Sequence, residues 1–266
     1  FGVATAAPNT TGAWSPVIPW PLIPLHMVLM PDGRVLSFGT KADGTQTGNF
    51  IYDVWEPAAG LNAGHTTLAN LTGTDLFCSS TLVLPQGGNV FIAGGDNWTG
   101  TGTTNTGNNN SNLFSYTSNT LTRQGNMNRA RWYSSSTVLL NGEVYTQGGS
   151  GGTDFPEIRA TNGAFRLLTG AGTSSFDFMY PRNFIAPDGR VFGYDSLGKM
   201  YYVNTAGNGA VSNAGQFSGP TGSDASAASS TTTRAPAEAG LPIAPSVPRW
   251  PRRSRVSRYR PGASSS

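Results

Sequence analysis

One pattern of apolar and polar positions occurs four times along the chain: an apolar strand, a glycine turn, a second apolar strand and, often, two adjacent glycines. The copies cover residues 25–39, 78–95, 133–149 and 180–195, and each is followed by a further pair of apolar segments. The valine after the turn recurs at spacings of 55, 54 and 47 residues, at Val35, Val90, Val144 and Val191. Units of about 50 residues with four strands each are typical of kelch-type β-propeller blades.

The turns of these hairpins have a local chemical basis. In Pro31-Asp32-Gly33 and Pro187-Asp188-Gly189, proline presets one backbone angle and glycine supplies a positive φ. We expect the glycine pairs to permit a close approach of backbone near the propeller axis. The polar run over residues 99–111 is predicted to be a loop between strands of the second blade.

These patterns predict an all-β fold, a kelch-like β-propeller with about four recognisable blades of a larger propeller. Residues 1–13 are predicted to be an N-terminal extension and residues 14–216 a partial propeller. Residues 217–266 form a low-complexity basic tail, which is predicted to be disordered because it offers little apolar surface to bury.

Composition agrees with this fold and narrows the function. The chain has 35 Gly and 18 Pro among 266 residues, and only 12% are charged, which argues against long helices. The net charge of +3 comes from the tail, which contains seven arginines and, as acidic residues, only Asp224 and Glu238. We therefore expect no nucleic acid partner. No membrane partner is expected either, because prolines interrupt the most apolar stretch, residues 14–30.

Cys78 is the single cysteine of the chain. A disulfide-stapled domain and a zinc site built from several thiolates are therefore excluded. An isolated cysteine is usually a small buried apolar residue, and an isolated tyrosine at Tyr133 would be a half-buried strand residue.

Two segments change that interpretation. Asp75-Leu-Phe-Cys-Ser-Ser-Thr lies one blade before the run containing Arg131-Trp132-Tyr133, and both are followed by a strand with a glycine pair. Over about residues 14–216 the chain resembles the galactose oxidase and glyoxal oxidase family of copper-radical oxidases, as the N-terminal part of their catalytic domain.

The resemblance implies a secreted, seven-bladed propeller in which a thioether joins Cys78 to the ring of Tyr133. It implies that Tyr133 binds copper and carries a stable radical, so that Cys78 and Tyr133 form the catalytic Tyr-Cys radical cofactor. The implied reaction oxidises a small primary alcohol, aldehyde or carbohydrate and reduces O2 to hydrogen peroxide. A side-chain radical is a physical necessity for this scheme, because alcohol oxidation releases two electrons and Cu(II) accepts one.

The chain also departs from the family pattern. The family's second tyrosine ligand and two histidine ligands lie in later blades without counterparts here, and the family's stacked indole is missing after Gly149. The histidines are His26 and His65, which we expect to have structural roles. Arg182 is a candidate for binding a substrate oxygen, although a salt-bridged arginine is the alternative. We therefore expect a truncated chain with weak or absent turnover.

One alternative from another class of function stays open. A non-catalytic kelch propeller could bind glycans or a protein partner at its loops, because a fold does not determine a function. The ring of Tyr133 would be shielded by Trp132, by a segment missing from this chain, or by nothing. The position of the Cys78 sulfur relative to that ring decides between the oxidase and the scaffold.

Overall fold

The computed structural model describes residue 12 and residues 14–46, 50–99 and 102–217. Within them the chain forms strands and one short 3-10 helix, Pro57–Ala59. Sixteen of these strands make four antiparallel sheets of four strands each, and two make a separate hairpin. The predicted all-β propeller architecture is therefore confirmed, with one sheet for each copy of the sequence pattern.

Each sheet is one blade, and its strands follow one another in chain order. Blade 1 contains β1 (Leu22–Leu29), β2 (Val35–Lys41), β3 (Ile51–Trp55) and β4 (His65–Ala69). Blade 2 contains β5 (Ser80–Val83), β6 (Val90–Ala93), β9 (Ser111–Ser115) and β10 (Thr120–Arg123). Blade 3 contains β11 (Trp132–Val138), β12 (Val144–Ser150), β13 (Glu157–Arg159) and β14 (Phe165–Leu167). Blade 4 contains β15 (Arg182–Ile185), β16 (Val191–Tyr194), β17 (Lys199–Asn204) and β18 (Ala210–Gln216).

The predicted turns close the first hairpin of each blade. In blade 1, Leu29 pairs with Val35, and the Gly33 N–H donates to the Met30 carbonyl over 3.0 Å. Gly33 has a φ of 87°, which explains why glycine stands at this position. The Asp32 carboxylate accepts the backbone N–H of Arg34, so the aspartate holds the turn in shape.

A separate apolar cluster joins each pair of neighbouring blades. Between blades 1 and 2 it includes Phe38, Val54 and Ile92, which are almost fully buried. Phe91 and Val144 bridge blades 2 and 3. Tyr145, Val191 and Tyr201 lie between blades 3 and 4. Because both faces of a blade can meet a neighbour, strands such as β6 and β16 are apolar along their whole length.

The polar run in blade 2 is more ordered than predicted. Residues 99–111 were expected to form a loop, but they contain β8 (Thr103–Gly107), which pairs with β7 (Asp96–Trp98). The buried Asp96 carboxylate accepts the N–H groups of Asn97 and Thr106. One side chain therefore anchors a small hairpin whose threonine and asparagine content is typical of a loop.

The glycine pairs are sites of close backbone approach, as predicted. A Cβ atom on Gly94 would lie 2.1 Å from the Arg131 carbonyl oxygen of the next blade. A Cβ on Gly148 would lie 2.6 Å from the Phe178 carbonyl oxygen, again from the next blade. Such contacts are too short for any side chain, so the glycines let successive blades meet backbone to backbone.

The described residues contain no helix that could span a membrane. The predicted tail over residues 217–266 lies outside the described residues except for Phe217. The N-terminal extension over residues 1–13 likewise lies outside them except for Gly12. The proposed boundaries at both ends therefore stay predictions.

Candidate functional site

Cys78, Tyr133 and Tyr180 occupy the same position in three successive blades. Each lies seven residues before the hairpin turn of its blade, which begins at Pro85, Leu140 and Pro187, respectively. Their φ angles are 57°, 71° and 45°. These left-handed conformations are uncommon for residues with a side chain, and backbone strain of this kind is concentrated at functional sites.

Backbone hydrogen bonds join these residues across the blades. The Tyr133 N–H donates to the Cys78 carbonyl over 3.0 Å, and the Tyr180 N–H donates to the Tyr133 carbonyl over 2.8 Å. The Cys78 N–H in turn donates to Nε2 of His26 in blade 1 over 3.1 Å. All four blades are therefore connected at one level by consecutive hydrogen bonds, and the three side chains are held next to one another.

The Cys78 thiol lies between two phenols. It is within hydrogen-bonding reach of the hydroxyl groups of both Tyr133 and Tyr180. Burial raises the pKa of the thiol, although the two tyrosine hydrogen bonds partly oppose that shift. The structure thus brings Cys78 and Tyr133 together, and Tyr180 is an additional neighbour of the thiol.

The two tyrosines differ in how readily they ionise. Burial, followed by the proximity of Cys78, raises the pKa of Tyr133 to about 12. The same two causes raise the pKa of Tyr180 further above its ordinary value. Desolvation penalises the charged form of a phenol, so Tyr133 is the easier of the two to convert to the phenolate that a metal ion binds.

Aromatic rings enclose Tyr133. The Trp132 ring lies 4.2 Å from the Tyr133 ring, centroid to centroid, at an interplanar angle of 33°. The Tyr180 ring meets the Tyr133 ring edge-on at 5.3 Å. Of the three alternatives for this ring, the structure shows Trp132 packed against it.

Arg131 fixes the backbone immediately before this aromatic pair. Its guanidinium is fully buried and donates through Nε to the equally buried Glu157 carboxylate over 2.9 Å. It also donates to the carbonyl oxygens of Gly148, Gly152 and Phe155. A buried charge is tolerated only when it is paired and hydrogen-bonded, and here both conditions are met.

Two buried carboxylates lie near the thiol. The Asp75 carboxylate shapes a turn by accepting the Phe77 N–H, and Gln46 donates to Asp96 over 2.8 Å. Burial, and to a smaller extent the charge of Asp96, raises the pKa of Asp75 to about 6. The sequence gives no sign that Asp75 is a buried acid with a perturbed pKa.

The two histidines lie in different parts of blade 1. His26 stacks on Phe38 at 4.8 Å, and burial lowers its pKa to about 4, so it is neutral at physiological pH. His65 begins the outermost strand, where its Nδ1 lies 2.7 Å from the buried Asp53 carboxylate. Both rings are therefore engaged within the protein, as expected for structural histidines.

Arg182 lies beside the site, at the start of β15. Its Nη1 donates to the Tyr180 carbonyl over 2.7 Å, and its charge acts on the Tyr180 phenol. The predicted substrate-binding role of Arg182 stays a prediction.

A polar cavity of about 220 Å³ opens next to these residues along the innermost strands. Its lining is hydroxyl-rich and includes His26, Ser79, Ser80, Ser134, Ser136 and Tyr180. A larger cavity of about 540 Å³ lies in blade 4 and contains none of the predicted site residues.

The described residues fit a copper ion only in part. They supply two phenols and a thiol at one place, and phenolate is a suitable ligand for Cu(II). The neighbouring imidazole of His26 uses Nε2 to accept the Cys78 N–H. Among these residues there is also no group of three or more His, Cys, Asp or Glu side chains that could hold a metal ion.

The fold of this chain has a counterpart among solved structures. The fold resembles that of a fungal alcohol oxidase of the AA5 family solved in complex with copper, with a TM-score of 0.62. The two share 20% sequence identity, and the match covers 79% of this chain and 45% of the other. The chain therefore has the propeller-like fold of that oxidase.

Sequence comparison then identifies the relatives. Two galactose oxidases of Gibberella zeae, one from strain PH-1, are 27% identical to this chain over 151 residues. The match covers 55% of this chain and 20% of the relatives, so the chain spans about a fifth of their length. No family model matches the chain. With the shared fold, this similarity supports the predicted resemblance: the chain is galactose oxidase-like.

Proposed function

We propose that this chain carries the thiol–phenol part of the site of a secreted copper-radical oxidase. Such an enzyme oxidises small primary alcohols or aldehydes, including carbohydrates, with O2 and releases hydrogen peroxide. The observation that carries the proposal is the Cys78 thiol within hydrogen-bonding reach of the Tyr133 hydroxyl, on neighbouring blades of a galactose oxidase-like fold. The copper complex of the structural relative supports the choice of metal.

Each residue of the site would have a defined task. Tyr133, the more readily ionised phenol, would bind copper and, once joined to Cys78, would hold a radical. Copper would supply one electron-accepting centre, and the modified tyrosine the other. Trp132, whose ring packs against the Tyr133 ring, would shield the radical. Arg182, fixed beside Tyr180, would bind a substrate oxygen.

The first test is the covalent bond itself. The chain is treated with copper in air, and its intact mass and its reaction with a thiol-alkylating reagent are measured. Thioether formation makes the product lighter by two hydrogen atoms and protects Cys78 from alkylation. The variant Tyr133→Phe, which lacks the phenol, should keep a free thiol. A wild-type chain that keeps an alkylatable thiol and an unchanged mass would favour the non-catalytic propeller that binds glycans or a protein partner.

Turnover by this chain is expected to be weak or absent. Its two histidines, His26 and His65, are both engaged in other interactions, so Tyr133 would lack imidazole partners for the metal. Copper and galactose or glyoxal should therefore give no hydrogen peroxide above the background of a copper-only control. Robust peroxide production would contradict this expectation while leaving the thiol–phenol proposal intact.

A further inference from the structure

We propose that Tyr180 is a positioning residue for the bond between Cys78 and Tyr133, its hydroxyl holding the thiol against the Tyr133 ring while the bond forms. This inference rests on the proposed function, because it concerns the formation of the thioether. Sequence comparison of the blades places Tyr180 in the same position as the two reacting residues, yet the proposed chemistry uses only one phenol. Tyr180 is thus a half-buried phenol at the site without an assigned role.

The Cys78 thiol must be held in one position before a bond to the ring can form. A cysteine side chain has three staggered positions about its χ1 bond, and only one of them can direct the sulfur at a given ring carbon. In a tyrosine, the ring carbon that accepts sulfur is adjacent to the carbon bearing the hydroxyl. A sulfur in contact with the Tyr133 hydroxyl therefore lies beside the reacting carbon. The second contact, to the Tyr180 hydroxyl, restricts the thiol to that position.

Tyr180 is itself firmly held relative to Tyr133. Its backbone N–H donates to the Tyr133 carbonyl, and its ring packs edge-on against the Tyr133 ring at 5.3 Å. Its own carbonyl accepts a hydrogen bond from Arg182, and Pro181 follows it in the chain. The backbone at Tyr180 is in the left-handed region, with a φ of 45°. A hydroxyl fixed in this way can act as a stationary contact for the sulfur.

The bond-forming step balances with dioxygen as the oxidant. The S–H bond of Cys78 and one ring C–H bond of Tyr133 are broken, and one S–C bond is formed. Two protons and two electrons leave the protein and reduce O2 to hydrogen peroxide. Tyr180 is unchanged at the end, so its contribution is geometric and should affect the rate rather than the product.

The test compares three variants with the wild-type chain: Tyr180→Phe, Tyr133→Phe and Tyr52→Phe. Tyr52 is the matched control, because its hydroxyl also donates one hydrogen bond, to the Asn119 carbonyl over 3.0 Å, but outside the site. Each chain receives copper in air, and samples are analysed over time by intact mass and by mapping of the cross-linked peptides. Thermal unfolding of each variant is recorded in parallel.

We expect Tyr180→Phe to form the cross-link about tenfold more slowly than wild type, the effect of losing one hydrogen bond of about 1.4 kcal/mol. Tyr52→Phe should lose similar stability yet cross-link at the wild-type rate, so a merely structural role would not give this pattern. Equal rates for Tyr180→Phe and wild type would overturn the proposal. A cross-link to Tyr180 in Tyr133→Phe would overturn it too, by showing that Tyr180 is a reacting ring. If the wild-type chain forms no cross-link, the proposed function itself has failed, and the role of Tyr180 fails with it.

Discussion

The innermost strands of blades 1 and 3 differ in their surroundings. β11 of blade 3 contacts the innermost strands of both neighbouring blades, β5 and β15. In the described part of the chain, β1 of blade 1 contacts only β5 in this way, and its opposite face exposes a row of apolar residues. These are Ile23, Leu25, Met27 and Leu29, which are between 40% and 69% exposed.

A single blade can form its hairpins by itself, whereas the contacts of the candidate site require neighbouring blades. Both strands form in the same hairpin pattern, so local sequence is sufficient for the blade. The Cys78 thiol meets the two phenols where blade 3 meets blades 2 and 4. The buried Arg131–Glu157 ion pair lies within blade 3, next to the Trp132–Tyr133 pair. The candidate chemistry is therefore a property of the junctions between blades, while the free face of blade 1 carries ordinary strand residues.

The largest effect is expected from breaking the buried ion pair of blade 3. Arg131→Ala would leave the Glu157 carboxylate buried without its partner, which typically costs about 3–5 kcal/mol. Denaturant unfolding followed by circular dichroism would measure this loss. The control is Arg129→Ala, since Arg129 and Asp154 are 34% and 38% exposed and such pairs contribute about 0–1 kcal/mol. Equal losses in the two variants would show that burial of the Arg131–Glu157 pair does not increase the free energy lost when the pair is broken.

An intermediate effect is expected from the buried acid beside the thiol. The pKa of Asp75 is about 6 in the folded protein, above its ordinary value of 3.8, so the folded chain binds the proton more tightly than the unfolded chain does. This contribution to stability is complete below about pH 4 and is lost as the pH rises through about 6.

Asp75→Asn should therefore raise the free energy of unfolding at pH 7 by on the order of 1–2 kcal/mol and change it little at pH 4. Urea unfolding at pH 4, 5, 6 and 7 would measure the difference. Asp43→Asn is the control, because hydrogen bonds from Thr45 lower the pKa of the exposed Asp43, and no gain at neutral pH is expected. A gain for Asp75→Asn that does not vary with pH would contradict the assignment.

The smallest effect is expected on the free face of blade 1. Leu29 is 69% exposed, so Leu29→Ser should change the free energy of unfolding by less than about 0.5 kcal/mol. Leu36 is 1% exposed and lies in the cluster between blades 1 and 2, so Leu36→Ala should cost about 2–5 kcal/mol. Thermal unfolding of both variants would measure the contrast. A large loss in Leu29→Ser would mean that this face is covered in solution.

The sequence alone predicts those parts of the structure that depend on neighbouring residues. The turns at Gly33 and Gly189 follow from local backbone chemistry, and each apolar hairpin lies where it was expected. The pairing of Cys78 with Tyr133 came from resemblance to a family, because no local rule relates residues on separate blades.

The remaining features depend on how the blades lie against one another. The Cys78 N–H donates a hydrogen bond to His26, which lies 52 positions away in the chain. Nothing in the sequence near either residue indicates this contact. The place of Tyr180 at the site cannot be recognised from the sequence, because its contact with the thiol arises from the approach of blades 2, 3 and 4. The β7–β8 hairpin was missed because it is held by the carboxylate of Asp96 rather than by an apolar pattern.

In blades 2, 3 and 4 a left-handed residue stands seven positions before the hairpin turn, at a site that accepts different side chains. Its backbone conformation is the same whether the occupant is the cysteine of blade 2 or the tyrosines of blades 3 and 4. The side chain at this position can therefore differ from one blade to the next while the fold of the sheet stays the same. A repetitive architecture of this kind separates the evolution of a reactive centre from the evolution of its support.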